Sequence, residues 1–353
     1  MKVSVIIPTY NEADNISRLI ADLIRHLENN FKDFEIIVVD DNSPDETWRI
    51  VEEEAKKDCR VRLIRRINIR GLGSAIVDGL RDSMGDYIIV MDADFQHPPN
   101  IVPQLVYKAI ETGADIVVAS RYAKGGKTEG WSMTRKIISL GALLLAHLLI
   151  CESRRTKDPI SGFFLVKKGL NFSALRGKGC KALLEILVAN PRAKVIDLPY
   201  TFTRRASGKS KLKFMGIIDY IVQILWLSKF SRFAIVGASG VLVNLGAMAL
   251  TFKLGAPVDL ASISGIETSI LWNYMWHEIW TFKYWFKGGL KSILLRYTYY
   301  HLSVLVGAFT QYIVMKILYT LLFMNPLLAQ LAGIVVGLIT NYIVSRLIVW
   351  PEY

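Results

Sequence analysis

An α/β domain with a doubly wound, mostly parallel sheet, followed by an all-α domain of four transmembrane helices, is the architecture the sequence predicts. Two observations carry it. Short apolar runs that stop at polar clusters alternate with segments of helical period as far as about Lys229. Beyond Lys229 long apolar runs dominate, and they raise the mean hydropathy of the whole chain to +0.31.

Val3–Pro8 reads as a buried strand, and Glu12–Leu27 as a helix with Ile16, Leu19, Ile20, Leu23, Ile24 and Leu27 at helical spacing. Phe34–Asp40 is a second strand, ending in Asp40-Asp41-Asn42-Ser43-Pro44. Glu46–Lys57 is a charged helix and Val61–Arg65 a third strand. Gly71 and Gly73 then form either a tight turn or a backbone approach to phosphate, and lead into a helix to Ser83. The run from Tyr87 to Met91 suits a central strand covered on both faces. It stops at Asp92-Ala93-Asp94, and Pro98 and Pro99 open a helix over about Ile101–Glu111. Asp115–Ser120 is the fifth strand. In such sheets ligands bind outside the carboxyl ends of strands, so Asp92 and Asp94 stand where a ligand would be. Hard divalent cations, Mg2+ or Mn2+, take carboxylate and phosphate oxygens, and D-x-D there suggests a metal held against a diphosphate. Taken alone, the motif reads first as a solvated turn, and the rest of the chain decides against that.

The 353 residues carry a net charge of +12. Nucleic acid is one explanation; a membrane protein with cytosolic Lys and Arg and phosphate-bearing substrates explains it more simply. Cys59, Cys151 and Cys180 form no CxxC pair, which fits free thiols in a reducing compartment. Val3–Pro8 is too short for a signal-peptide core, so the first domain is expected in the cytosol.

Several strings together resemble the inverting glycosyltransferases of family 2, with a GT-A nucleotide-sugar fold. They are S-V-I-I-P-T-Y-N-E, I-V-V-D-D-N-S-P-D, G-L-G-S-A, M-D-A-D-F-Q-H-P-P, A-S-R-Y, G-W-S-M-T-R-K-I-I-S, D-P-I-S-G-F-F and S-G-K-S-K-L, spread over about residues 3–215. The fourth is close to the form found in dolichyl-phosphate mannose synthases, and the set is similar to polyprenyl-phosphate glycosyl synthases generally. The Q-x-x-R-W string of processive polysaccharide synthases is not found. The resemblance implies that Pro8, Tyr10, Glu12 and Asp41 line a nucleoside pocket, with Val39 and Ala93 also donor-binding. It implies that Asp92, Asp94 and Gln96 meet the metal and the donor diphosphate. Arg121, Arg135 and Ser139 would take the acceptor phosphate; the last two lie one helical turn apart. Arg205 and Lys211, in a basic segment around Ser207-Gly208, would close over the diphosphate. Asp158 would lie nearest the sugar and orient it or an arginine; with Asp94, Arg121 and Arg135 it makes up the expected catalytic set. Ordinary roles exist beside these: Pro8 ending a strand, Tyr10 packing, Gln96 capping a turn, a lone arginine in solvent. The implied reaction moves mannose from GDP-mannose to dolichyl or another polyprenyl phosphate with inversion. A UDP-glucose-dependent synthase is the alternative within the class, and a lipid carrier or flippase that only binds nucleotide sugar is the alternative outside it.

Leu140–Ile150 and Phe214–Leu227 are apolar but shorter than a span, and fit helices lying in the membrane interface, with core helices as the lesser alternative. In the second, Asp219 and Gln223 are four apart on one face. Spans are expected at about Phe233–Phe252, Leu260–Phe282, Tyr297–Phe323 and Leu327–Trp350, each near the ~20 residues a bilayer needs. Lys229 and Arg232, then Lys283, Lys287, Lys291 and Arg296, place the catalytic domain, the middle loop and both termini in the cytosol. The expected divisions are 1–212, an interface helix at 213–228, and 229–353. The last reads as two helix-pair repeats, opened by Arg232-Phe233 and Arg296-Tyr297 and closed by Asn273-Tyr274 and Asn341-Tyr342; it resembles GtrA-like membrane domains. Glu267 and Lys316 are ionisable residues within spans and so functional candidates.

Overall fold

Side chains that alternate along a strand reach opposite faces of a sheet, and both faces are covered in this protein. The computed structural model describes residues 1–177, 179–203, 214–284 and 288–351. The elements of the first unit are β1 (Lys2–Thr9), α1 (Ala13–Glu28), β2 (Asp33–Asp40), α2 (Thr47–Lys57), β3 (Val61–Arg65), α3 (Leu72–Asp82), β4 (Tyr87–Val90), α4 (Ile101–Thr112), β5 (Ile116–Ser120), β6 (Lys127–Thr128), α5 (Met133–Leu149), β7 (Phe164–Lys167), α6 (Ala182–Ala189), β8 (Val195–Pro199), β9 (Thr201–Phe202) and α7 (Phe214–Leu227). Val3, Val5 and Ile7 of β1 pack in one core with α1 and α4, whereas Ile6 packs in a second core with α3 and α6.

The main sheet has strand order β3-β2-β1-β4-β7-β5-β8. Strand β7 runs antiparallel between β4 and β5; the other pairings are parallel. Reading along the sequence does not single out β7, β8 or α6. Phe164 pairs with Val90 and with Val118, so β7 begins where β4 and β5 end. The segment leading into β7 therefore lies at the same edge of the sheet as Asp92 and Arg121. Strands β6 and β9 form a separate two-stranded sheet. The expected polar face of α7 is corrected: Gln223 is buried and holds the start of α6, donating to Lys181 O and accepting from Lys181 N, both at 3.0 Å. A buried amide needs such partners, and this one finds them on a neighbouring loop.

The chain divides into two compact units, Met1–Leu227 and Ser228–Tyr353. The second contains α8 (Phe230–Lys253), α9 (Val258–Trp276), α10 (Leu290–Leu321) and α11 (Pro326–Val344). Among the described residues three helices, Phe230–Lys253, Leu290–Leu321 and Pro326–Val349, are long and apolar enough to cross a membrane. Helix α9, at the second expected span, falls outside that set and carries Asp259, Glu267, Thr268, Ser269 and Asn273. Arg296, expected as a loop charge, is instead buried in α10 against Glu278, with Nε 2.6 Å from Oε1; Trp350 Nε1 donates to the same oxygen at 2.8 Å. The two helix pairs are built alike, each ending in a π-helical turn, at His277–Thr281 and Ser345–Val349. Phe233, Val236 and Gly240 of α8 are buried at the spacing of Tyr300, Ser303 and Gly307 of α10. Phe233 thus corresponds to Tyr300 rather than Tyr297: the sequence anchors lie about one turn out of register, which leaves the buried helical face nearly unchanged. A Cβ on Gly240 would come 2.4 Å from Asn273 Oδ1, and one on Gly307 2.9 Å from Asn341 Cβ, so both helix pairs close on the same small residue.

Candidate active site

The carboxyl ends of β1 and β2 come first. Asp40 is buried and accepts from Thr9 Oγ1 at 2.8 Å, Ser43 N at 2.8 Å and Ser43 Oγ at 2.6 Å. Those bonds tie the strand-end loops together, and the Asn11 N–H reaches Ser43 Oγ at 3.0 Å. Asp41 is buried too. It accepts from Arg66 Nε at 2.7 Å and from Gly71 N at 2.8 Å, while Arg66 also bonds Ser74 Oγ and Asp78. Arg66 was missed by sequence reasoning; its one signal is a second consecutive arginine at the end of β3. Gly73 serves packing: a Cβ there would lie 2.1 Å from Gly179 O. Tyr10 lies under Arg70, whose guanidinium carbon is 4.9 Å from the ring centroid. Glu12 Oε2 accepts from Asn15 Nδ2 at 3.0 Å. Pro8 pairs with Val39 in register, and both are buried; the Val39 side chain belongs to the core beneath the loops.

At the end of β4 the chain turns sharply, with Phe95 at φ 61° and Arg18 over its ring at 5.0 Å. His97 Nδ1 accepts the Asp92 N–H at 2.9 Å, which leaves its proton on Nε2. Burial pushes this imidazole down to about 3, so it is neutral, stacked on Phe163 at 4.9 Å. Asp94 is 5% exposed, and its Oδ1 accepts from Gln96 N at 3.0 Å. Gln96 Nε2 approaches Thr203 O at 3.4 Å. The Asp92 side chain is 42% exposed. Ala93 is buried between the two carboxylates. Among the described residues no group of three His, Cys, Asp or Glu side chains converges as a metal site. Two carboxylates at a strand end nonetheless fit a hard cation completed by phosphate oxygens and water rather than one caged by protein.

Arg121, just past β5, donates through Nε and Nη2 to the two oxygens of Asp158, each at 2.7 Å, and its own N–H reaches Oδ2 at 3.0 Å. Burial opposes the Arg121 charge, but the Asp158 bonds outweigh it and raise its pKa above the usual arginine range. Asp158 is 0% exposed. Gly162 carries the same segment past the D-x-D turn, where a Cβ would lie 3.3 Å from Asp92 Oδ2 and His97 Cε1. Ser132 caps α5, its hydroxyl accepting from Arg135 N at 3.2 Å. Arg135 then lies over Trp131 at 4.4 Å, and Arg121 approaches the same ring at 5.4 Å. Tyr122 Oη donates to Ser139 Oγ at 2.8 Å. Beside Tyr122 a groove of about 490 Å³ is lined by Leu140, Leu143, His147, Arg154, Thr156 and Lys157. The fold thus gathers Asp92, Asp94, Gln96, Asp158, Arg121, Arg135 and Ser139 along one edge of the sheet, with Pro8, Tyr10, Glu12 and Asp41 at the ends of β1 and β2. Arg205 and Lys211 lie outside the described residues.

Residues 4–172 match glycosyl transferase family 2, and residues 232–350 match the transmembrane domain of GtrA/DPMS type. With the sheet and its strand-end carboxylates, these make the chain a membrane-bound glycosyltransferase of GT-A fold. A dolichol-phosphate mannosyltransferase of Pyrococcus furiosus is 42% identical over 99% of this chain and 99% of its own length. One from Saccharomyces cerevisiae is 38% identical over 65% of this chain and 89% of its own. The chain belongs to glycosyltransferase family 2, within the group of dolichol-phosphate mannosyltransferases. Among solved structures, glucosyl-3-phosphoglycerate synthase of Mycobacterium tuberculosis, in complex with Mn2+ and UDP, aligns with a TM-score of 0.47 and 22% identity, over 64% of this chain and 80% of that one.

Proposed function

We propose that this protein transfers mannose from GDP-mannose to dolichyl or another polyprenyl phosphate, with inversion, at the cytosolic face of a membrane. The full-length likeness to the archaeal dolichol-phosphate mannosyltransferase carries this reading, because it extends over both units. Asp92 and Asp94 would hold Mg2+ or Mn2+ against the donor diphosphate, with Gln96 beside them; when bound, the ion offsets charge on the leaving group. Pro8, Tyr10, Glu12 and Asp41 would border the nucleoside, with Val39 and Ala93 supporting them from the core. Arg121, Arg135 and Ser139 would position the acceptor phosphate, and Arg205 and Lys211 the diphosphate. The apolar groove beside Tyr122, rimmed by Arg154 and Lys157, suits an isoprenoid next to a phosphate.

The nucleophile is a phosphate monoester oxygen, largely dianionic at neutral pH because its second pKa is about 6. It needs positioning more than deprotonation. Asp158 fits this: both its oxygens accept from Arg121, so it orients that guanidinium. Sidedness rests on Lys229 and Arg232 before or within the start of α8, on Lys283 between α9 and α10, and on Lys291 in the first turn of α10. The test is turnover of a panel of labelled GDP- and UDP-sugars in membranes supplied with polyprenyl phosphate. Mannosyl transfer from GDP-mannose alone is expected. Glucosyl transfer from UDP-glucose would replace the donor assignment, and binding of nucleotide sugar without any transfer would point to a carrier.

A further inference from the structure

Two buried donors near Arg121, Tyr200 Oη and Trp131 Nε1, have no hydrogen-bond partner among the described residues. Buried polar hydrogens are nearly always bonded, because an unmade bond forfeits the hydration it had in water. Tyr200 follows β8 directly, at the same edge of the sheet as Arg121, since β8 runs parallel to β5 with Pro199 opposite Ser120. Its backbone is held on both sides: its N–H donates to Ser120 O at 3.3 Å, and its carbonyl accepts from Lys127 N at 3.0 Å. The ring is only 4% exposed and packs edge-on against Phe163 at 5.6 Å and Phe202 at 6.4 Å. In that setting phenylalanine would fill the space, so the hydroxyl is an unexplained addition. Its charged surroundings are Arg121, Asp158, Asp92 and Asp94, the groups on which the proposed reaction centres. Trp131 shares Phe202 as a neighbour, at 5.4 Å, and stacks with both Arg121 and Arg135.

We propose that Tyr200 is a substrate-contacting residue whose phenol donates to a phosphate oxygen held beside Arg121, with Trp131 Nε1 as a second donor. This rests on the proposed function, in which phosphates occupy this edge. Neutral donors suit such a position, because they orient an anionic nucleophile while withdrawing less of its charge than a further cation would. Burial holds the phenol above its ordinary pKa, so it keeps its proton through the working range. The oxygen belongs either to the acceptor phosphate or to the donor diphosphate, and the measurements separate the two.

The experiment compares Tyr200→Phe with the wild type as the full chain in lipid nanodiscs, by steady-state kinetics, GDP binding and thermal melting. A hydroxyl with no partner among the described residues predicts a melting temperature unchanged or raised, together with kcat/KM lower by about ten- to hundredfold. Weaker GDP binding assigns the contact to the donor diphosphate. A raised KM for polyprenyl phosphate with GDP binding intact assigns it to the acceptor. Kinetics and affinities within about twofold of the wild type would overturn the proposal. A loss of activity matched by a lower melting temperature would also overturn it, because the hydroxyl would then be structural. The wild type is run first against the nucleotide-sugar panel. If it uses another donor, the functional reading fails while Tyr200 is still measured with that donor. If it uses none, the binding of GDP, UDP and pyrophosphate to the two proteins decides the question.

Discussion

Asp158 has two carboxylate oxygens, and a single arginine occupies both. A carboxylate so engaged is a poor general base, so the acidic limb of the pH–rate profile should follow the acceptor phosphate. An acceptor analogue of lower second pKa should move that limb to lower pH. A limb that stays in place with the analogue but vanishes in Asp158→Asn would make Asp158 the base. At the D-x-D turn, Asp94→Asn removes a charge from a hard-metal site with little change in volume, and transfer should fall at least about a hundredfold with the melting temperature retained. An active variant would dismiss the metal assignment. Away from the site, Glu35 is 2% exposed and accepts from Ser4 Oγ at 2.6 Å, Met84 N at 2.7 Å and Arg62 at 2.8 Å. Burial raises its pKa, but these bonds outweigh burial and hold it below the usual 4.5. A carboxyl depressed in the folded state stabilises the protein above its unfolded pKa, and that contribution is lost as pH falls through the folded value. Glu35→Gln should therefore cost about 2 kcal/mol at neutral pH and flatten the decline in melting temperature below pH 4.5. Parallel melting curves for the two proteins across that range would contradict the linkage.

Helices α5 and α7 turn apolar side chains away from the first unit. Met133, Ile137, Leu140 and Leu144 are exposed on α5, and Ile221, Val222 and Trp226 on α7. Their inward sides are anchored: Tyr220 Oη donates to Ala142 O at 2.5 Å, and Gln223 bonds Lys181. A soluble protein seldom leaves such patches bare. The fragment 1–227 should bind phospholipid vesicles, and the double change Ile137→Glu with Leu144→Glu should weaken that binding at least about tenfold, since burying one such side chain contributes roughly 1.5–3 kcal/mol. Equal sedimentation of the two fragments with vesicles would show that α5 does not enter the interface.

The proposed donor-side and acceptor-side residues all precede Ser228, and the first unit has both of its cores without the helical one. Deleting 228–353 should leave GDP-mannose affinity near that of the full chain, with some transfer surviving in detergent and membrane attachment weakened. Calorimetry on the folded fragment checks this. A fragment that melts cooperatively yet binds no donor would mean that the helical unit completes the nucleotide pocket.

Alternation of strands and helices was legible in the sequence because the central strands β1, β2 and β4 are covered on both faces, and such strands are mostly apolar until they stop. Those stops expose Asp40-Asp41, Asp92 and Asp94 to a reader of the sequence, since polar residues at a strand's carboxyl end interrupt the run in an obvious way. The resemblance to family 2 then named the remaining candidates. Partner choice was not legible. That Asp158 clamps Arg121 depends on β7 entering the sheet antiparallel, and a strand as short as Phe164–Lys167 carries too little periodicity to announce its direction. That Arg66 holds Asp41, that Gln223 is buried and that Arg296 meets Glu278 depend on which segments are neighbours across the fold. Local periodicity belongs to consecutive residues and can be read from them. The partner of a charged or polar side chain is set by the element packed beside it, which only the tertiary structure decides.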